Sequence, residues 1–198
     1  MSYVLEAVVG VEPVVRAFAA DHPPAIVVPL PFGLGLVPLT RELSALLARA
    51  DSPPAGRPDH NRPDQDPPNY DRPDQDPPDQ DPPDHDPPDH DLPDQDRLPA
   101  GVKEELAWRS LAGPIGYLEA EYFGGMGMQW AALWSGGSMA AGPYVLTEGE
   151  PFPVAGSPIS RVLAELGVER GDHFDEFDAA GLLRHRHTDD WAADQGFR

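Results

Sequence analysis

Cysteine is absent from this sequence. That excludes disulfides, thiolate metal ligation and a cysteine nucleophile, and it fits a reducing compartment. Lysine is almost absent as well, Lys103 standing alone beside 13 arginines. Long apolar runs are missing too. The longest, Ala25 to Leu39, is broken by Pro29, Pro31, Gly33, Gly35 and Pro38, which is too short and too interrupted for a bilayer-spanning helix. The first six residues carry no basic segment and already include Glu6, so no signal peptide is expected. A cytoplasmic location is the resulting expectation. Positive charge is also scarce: Lys plus Arg number 14 against 34 Asp plus Glu, for a formal net charge of −20. Nucleic acid and anionic membrane surfaces are therefore not expected partners, whereas a basic protein or a cation is.

What the chain has in excess is proline and aspartate, and both concentrate in one tract. Five-residue units run from Arg57 to Asp96: RPDHN, RPDQD, PPNYD, RPDQD, PPDQD, PPDHD, PPDHD and LPDQD. This tract holds 14 aspartates and three arginines, a net of −11 that leaves −9 for the rest of the chain. Proline recurs too often for a helix and removes the donors a sheet interior needs. Few apolar side chains are present to offset the entropy of ordering. The expectation is a disordered, solvated, polyproline-II-like insertion. Near-identical units point to a repeat expanded within a surface loop, where added length costs little. Weak cation binding and recognition by a basic or proline-reading partner are the functional alternatives for the tract.

The remaining segments predict a single α+β domain: a mostly antiparallel sheet with three or four flanking helices, interrupted by the repeat. Residues 1–50 form its N-terminal half, 51–98 the insertion and 99–198 the C-terminal half, since about fifty residues alone bury too little core. Tyr3 to Val9 reads as a strand. Pro13 opens a helix with Val14, Val15 and Phe18 on one face. Ala25–Leu30 and Leu34–Leu39 read as short strands, and Thr40 caps a helix carrying Leu43, Leu46 and Leu47. After the repeat come a helix over Val102–Leu111 and strands over Ile115–Phe123, Met128–Trp134 and Met139–Thr147. Gly136-Gly137 marks a tight hairpin. Ser157 and Pro158 open the clearest helix, with Ile159, Val162, Leu163 and Leu166 at helical spacing and Gly167 as its stop. That helix is expected to cross the meander.

Candidate chemistry comes from carboxylates and histidines. Glu119 and Glu121 lie two apart on a predicted strand, hence on one face and about 6.6 Å apart along it. Paired carboxylates of this kind do acid–base work or hold a metal; the structural alternative is a solvated face partnered by Arg109 or Arg184. Downstream, Asp175, Asp178, His185 and His187 offer oxygen and nitrogen ligands for a divalent metal. Their spacing matches no established metal motif, and the structural alternative, which the sequence favours, is an ion-pair network of Asp175, Glu176 and Asp178 with Arg184 and Arg186. Trp130 and Trp134 share a face with Met128, as core or as a protein-binding patch. No Gly-x-Ser-x-Gly elbow, phosphate-binding loop, dinucleotide fingerprint or kinase signature is present. No cofactor is predicted beyond a candidate divalent metal.

Three segments carry a family resemblance: GYLEAEYFGGMGMQWAALW (Gly116–Trp134), GSPISRVLAELGV (Gly156–Val168) and DHFDEFDAAGLLRHRHTDDW (Asp172–Trp191). They resemble a family of small bacterial proteins, common in actinobacteria, with a strand of the form YxEAEYFGGxGxQ, a helix ending in LGV and a tail of the form DEFDxxGLGRHRxTEDW. Leu183 stands where that pattern has its second glycine. The resemblance covers about half the chain and implies no particular activity. It does imply where a shared site would lie, between the EAEYFGG strand-turn and the DEFD…RHR tail. Similarity in size and acidity to immunity proteins suggests a non-enzymatic protein-binding module facing a basic partner such as a toxin. A metal-binding protein or metal-dependent hydrolase built from the clustered Glu, Asp and His is the alternative.

Overall fold

The run SYVLEAVVGV forms strand β1 (Ser2–Val11), and it lies inside the sheet because it is apolar on both faces. Leu5, Ala7 and Val9 point to one side and Val8 to the other, all of them fully buried, as the two-residue period of a strand dictates. The computed structural model describes residues 2–49, 97–124 and 126–193. The pentapeptide repeat lies outside the described residues. Helix α1 (Glu12–Asp21) follows β1 directly, with Pro13 in its first turn. Then come β2 (Val28–Pro29), β3 (Leu34–Pro38) and α2 (Arg41–Arg49). The C-terminal half supplies α3 (Ala100–Arg109), the meander β4 (Ile115–Phe123), β5 (Met126–Ser135) and β6 (Ser138–Leu146), and helices α4 (Pro158–Glu165), α5 (Glu176–Ala179) and α6 (Thr188–Ala193).

The six strands form one antiparallel sheet in the order β2-β3-β1-β4-β5-β6. The fold is thus α+β, with six helices among the described residues, more than the three or four expected, because the charged tail folds into α5 and α6. The two halves of the chain meet along β1 and β4, which pair over nine positions from Ser2↔Phe123 to Gly10↔Ile115. The strand expected over Ala25–Leu30 shrinks to the two-residue edge β2, since Pro29 and Pro31 deny the ladder its donors. Pro143 sits in the other edge strand, β6, as its chemistry requires. The β5–β6 turn uses Gly136 at φ 62° and Gly137 at φ 91°, the left-handed pair that matches strand twist in a two-residue hairpin.

Helices cover both faces of the sheet, and two cores result. On one face Val8, Val37, Ile115, Tyr117, Trp130 and Trp134 pack with α1, α2 and α3. On the other, Leu5, Leu36, Leu118, Ala120, Ala131 and Leu133 pack with α4, α5 and α6. Trp130 and Trp134 are therefore core residues and leave no open aromatic patch. Gly116 permits α4 to approach β4, because a Cβ there would stand 2.9 Å from Val162 Cγ1. Arg97 and Leu98, read from sequence as the end of the insertion, belong to the folded part: Leu98 is buried with the α1–α3 core, and Arg97 pairs with Glu119.

Candidate functional site

The start of α4 shows how the sequence builds this region. A helix leaves its first N–H groups without intrahelical acceptors. Here Pro158 has no N–H to satisfy. Ser160 N donates to the Ser157 hydroxyl at 3.2 Å, and Ile159 N donates to Gln129 Oε1 at 3.0 Å. Gln129 is buried on β5 amid an apolar run. With its oxygen engaged by Ile159, its amide nitrogen donates to the Tyr122 hydroxyl at 2.8 Å. One glutamine thus ties α4, β5 and β4 together.

Beside this tie lies a cavity of about 460 Å³, partly open to solvent. Tyr3 of β1, Tyr122 of β4 and Gln129 of β5 line it from the sheet. Asp175, Phe177, Leu183 and Arg186 line it from the tail. Tyr3 donates its hydroxyl proton to Leu182 O at 3.0 Å and sets its ring 5.6 Å from that of Phe177. Asp175 caps α5 by accepting from Asp178 N at 2.9 Å. Burial raises the Tyr3 hydroxyl well above its ordinary range. Burial likewise raises Tyr122, opposed by the hydrogen bond from Gln129 and reinforced by the negative field of Asp175. Both tyrosines stay protonated through the neutral range.

The tail is held against the sheet by backbone as well as side chains. Val4 N donates to Arg186 O at 2.7 Å, and Glu6 N donates to the Thr188 hydroxyl at 3.0 Å. His187 forms a parallel bridge with Val4 there. Leu183 lies in a 3₁₀ turn, and the left-handed residue beside that turn is Gly181 at φ 74°. No glycine is needed at 183.

The strand-turn and the tail do meet, but not through the residues singled out for metal binding. Glu119 and Glu121 share the sheet face of Tyr117 and Trp130, which packs on α1–α3. Asp175 and Asp178 belong to the tail packed on the opposite face, with Tyr122 and Gln129. The sheet stands between the two carboxylate pairs, because residues 119 and 121 alternate with 120 and 122. Glu119 is occupied by Arg97, not Arg109 or Arg184, in a bidentate pair at 2.7 and 2.8 Å. Arg109 is instead buried beside Glu105 and also pairs with the exposed Asp21. Glu121 is exposed opposite Met128. Asp178 faces His173 Nδ1 at 3.1 Å. His185 stands edge-on to Trp191 with ring centroids 4.8 Å apart. Among the described residues no group of three or more His, Asp or Glu converges as a metal site.

A second carboxylate pair escaped the reading of the sequence. Glu6 lies directly across from Glu119 in the β1–β4 register and accepts a hydrogen bond from the Tyr117 hydroxyl at 3.0 Å. Burial lifts its pKa above the usual carboxylate range; the Tyr117 bond opposes this, Glu119 adds to it and Arg97 offsets part. Nothing local in the sequence signals this pair, since 113 positions separate its members. Gln129 did leave a signal: a polar residue inside MQWAALW, at a position whose strand neighbours of the same parity are apolar. Comparison with protein-family models, with curated proteins and with solved structures finds no match for this chain. No helix among the described residues is long and apolar enough to cross a membrane.

Proposed function

We propose that the chain is a non-enzymatic binding protein that turns its acidic tail toward a basic protein partner, as an immunity protein faces its toxin. The observation carrying this reading is the charge of the segment that wraps the Tyr122–Asp175 cavity. Residues 165 to 193 hold eight carboxylates against three arginines. Glu165, Glu169, Asp172, Asp189 and Asp190 among them are exposed. Unneutralised charge of one sign steers a partner of the opposite sign and sets orientation. The motif resemblance points the same way, because its tail segment supplies most of these carboxylates. The alternative, a metal-binding protein or metal-dependent hydrolase, has less support, since its six candidate ligands are divided between two faces of the sheet.

The test is capture of partners by the full chain at low salt, with the variant Glu169→Gln/Asp172→Asn/Asp189→Asn/Asp190→Asn in parallel. The expected partner is basic, leaves the wild-type chain as ionic strength rises from about 0.05 to 0.5 M, and is not retained by the variant. Capture that withstands salt and survives all four substitutions would overturn the reading. Stoichiometric metal in the purified protein, lost in Glu121→Ala or His185→Ala, would favour the alternative.

A further inference from the structure

The cavity beside Gln129 holds two opposite charges that do not neutralise each other. Asp175 and Arg186 both line it, yet no ion pair joins them. Asp175 Oδ1 is taken by the Asp178 N–H, whereas among the described residues Oδ2 has no partner. The Arg186 guanidinium likewise has none, its backbone carbonyl alone being used by Val4. Uncompensated charges facing one concavity are where polar ligands are oriented.

A third polar group faces the same space with its role already decided. Ile159 N requires an acceptor, so Gln129 presents its oxygen there and its NH2 to Tyr122. The Tyr122 hydroxyl therefore accepts from Gln129 and keeps its own proton to donate. Tyr3 is different: its hydroxyl is committed to Leu182 O, so it offers only its ring, next to Phe177. Leu183 extends this apolar wall. The lining residues thus supply a carboxylate, a guanidinium, a phenol donor and an aromatic–aliphatic wall. A simple cation would leave Arg186 facing it, and a simple carboxylate would leave Asp175 facing it. A ligand carrying both charges and an apolar group satisfies all three.

We propose that this cavity binds a free α-amino acid with an apolar or aromatic side chain. Its ammonium group sits on Asp175, its carboxylate on Arg186 and the Tyr122 hydroxyl, and its side chain against Tyr3, Phe177 and Leu183. The volume of about 460 Å³ falls in the range of roughly 300–1,000 Å³ usual for small-molecule sites. The site does not depend on a basic protein partner.

Isothermal titration of the full chain with L-phenylalanine and L-leucine tests it, with 2-phenylethylamine and 3-phenylpropionate as analogues lacking the carboxylate and the ammonium. Asp175→Asn removes the charge but keeps an N-cap for α5, and Arg186→Gln keeps the backbone bond to Val4. Saturable one-to-one binding of either amino acid is expected, with at least a tenfold loss for each analogue and each variant, the scale of a lost charge-assisted hydrogen bond. Three results would each overturn the proposal: no saturable binding of either amino acid up to about 10 mM, an analogue that binds as tightly as phenylalanine, or binding indifferent to both substitutions.

Discussion

Replacing Gln129 by leucine isolates the tie that holds the cavity in shape. The side chains are close in volume, so the change deletes polar contacts with little new void. Two hydrogen bonds disappear, one from Ile159 N at 3.0 Å and one to the Tyr122 hydroxyl at 2.8 Å. The losses are unequal. Tyr122 is half-buried and borders the cavity, so water can replace its lost donor at small cost. Ile159 is fully buried at the start of a helix, and its N–H is left without an acceptor. An orphaned buried donor costs about 1–3 kcal/mol, and a replaceable bond about 0.5–1.5 kcal/mol. Burying a leucine where a glutamine was returns about 1 kcal/mol. The net expectation is a destabilisation of about 2 kcal/mol, which lowers Tm by roughly 4–8 °C for a domain of this size. Urea unfolding followed by tryptophan fluorescence measures it, with Tyr122→Phe and the double variant completing a cycle. The two single costs should not add, because both act on the same bond. A Gln129→Leu protein within about 0.5 kcal/mol of wild type, or strict additivity with Tyr122→Phe, would refute this account of how α4 is held.

Three other outcomes are expected. Glu6 has a raised folded pKa, caused first by burial, so its contribution is fully present below the ordinary carboxylate pKa and is lost as pH rises through the elevated value. Glu6→Gln should therefore be more stable than wild type at pH 7 and lose that advantage in acid, and equal stability of the two at both pH values would contradict it. Gly127→Ala should destabilise by about 2 kcal/mol or more in a thermal or urea melt, because its Cβ would fall 2.0 Å from Glu121 O and 2.7 Å from Tyr122 Cα. Deleting Arg57–Asp96 shortens the connection between α2 and α3 while leaving Leu47 and Leu98 in the same core. Calorimetry should find stability unchanged or raised by about 1–2 kcal/mol from the smaller closure entropy, and a large loss would mean that the tract contributes to the folded structure.

Local chemistry made much of the chain readable before its fold was seen. β4 coincides with the strand expected over Ile115–Phe123, and α4 starts at the expected Ser157 cap, with Gly167 left-handed at φ 90° just beyond it. Those signals act within a few residues: a hydroxyl reaches three positions ahead, and a glycine admits a backbone angle other residues avoid. The tail was harder to read, because α5 has four residues and α6 six, too few turns for an apolar period to emerge against dense charge.

The site belongs to another level. Strand alternation already required that residues 119 and 121 face one way and 120 and 122 the other, whatever the fold. Which of those faces received the tail was decided only when β1 entered between β3 and β4 and α4–α6 packed over Leu118 and Ala120. The same assembly set Glu6 opposite Glu119 and brought Asp175 and Arg186 to Tyr122. Periodicity and capping are properties of neighbouring residues and can be read along the chain. The meeting of residues far apart in sequence depends on which apolar faces bury one another, and that is decided by the packing of the whole domain.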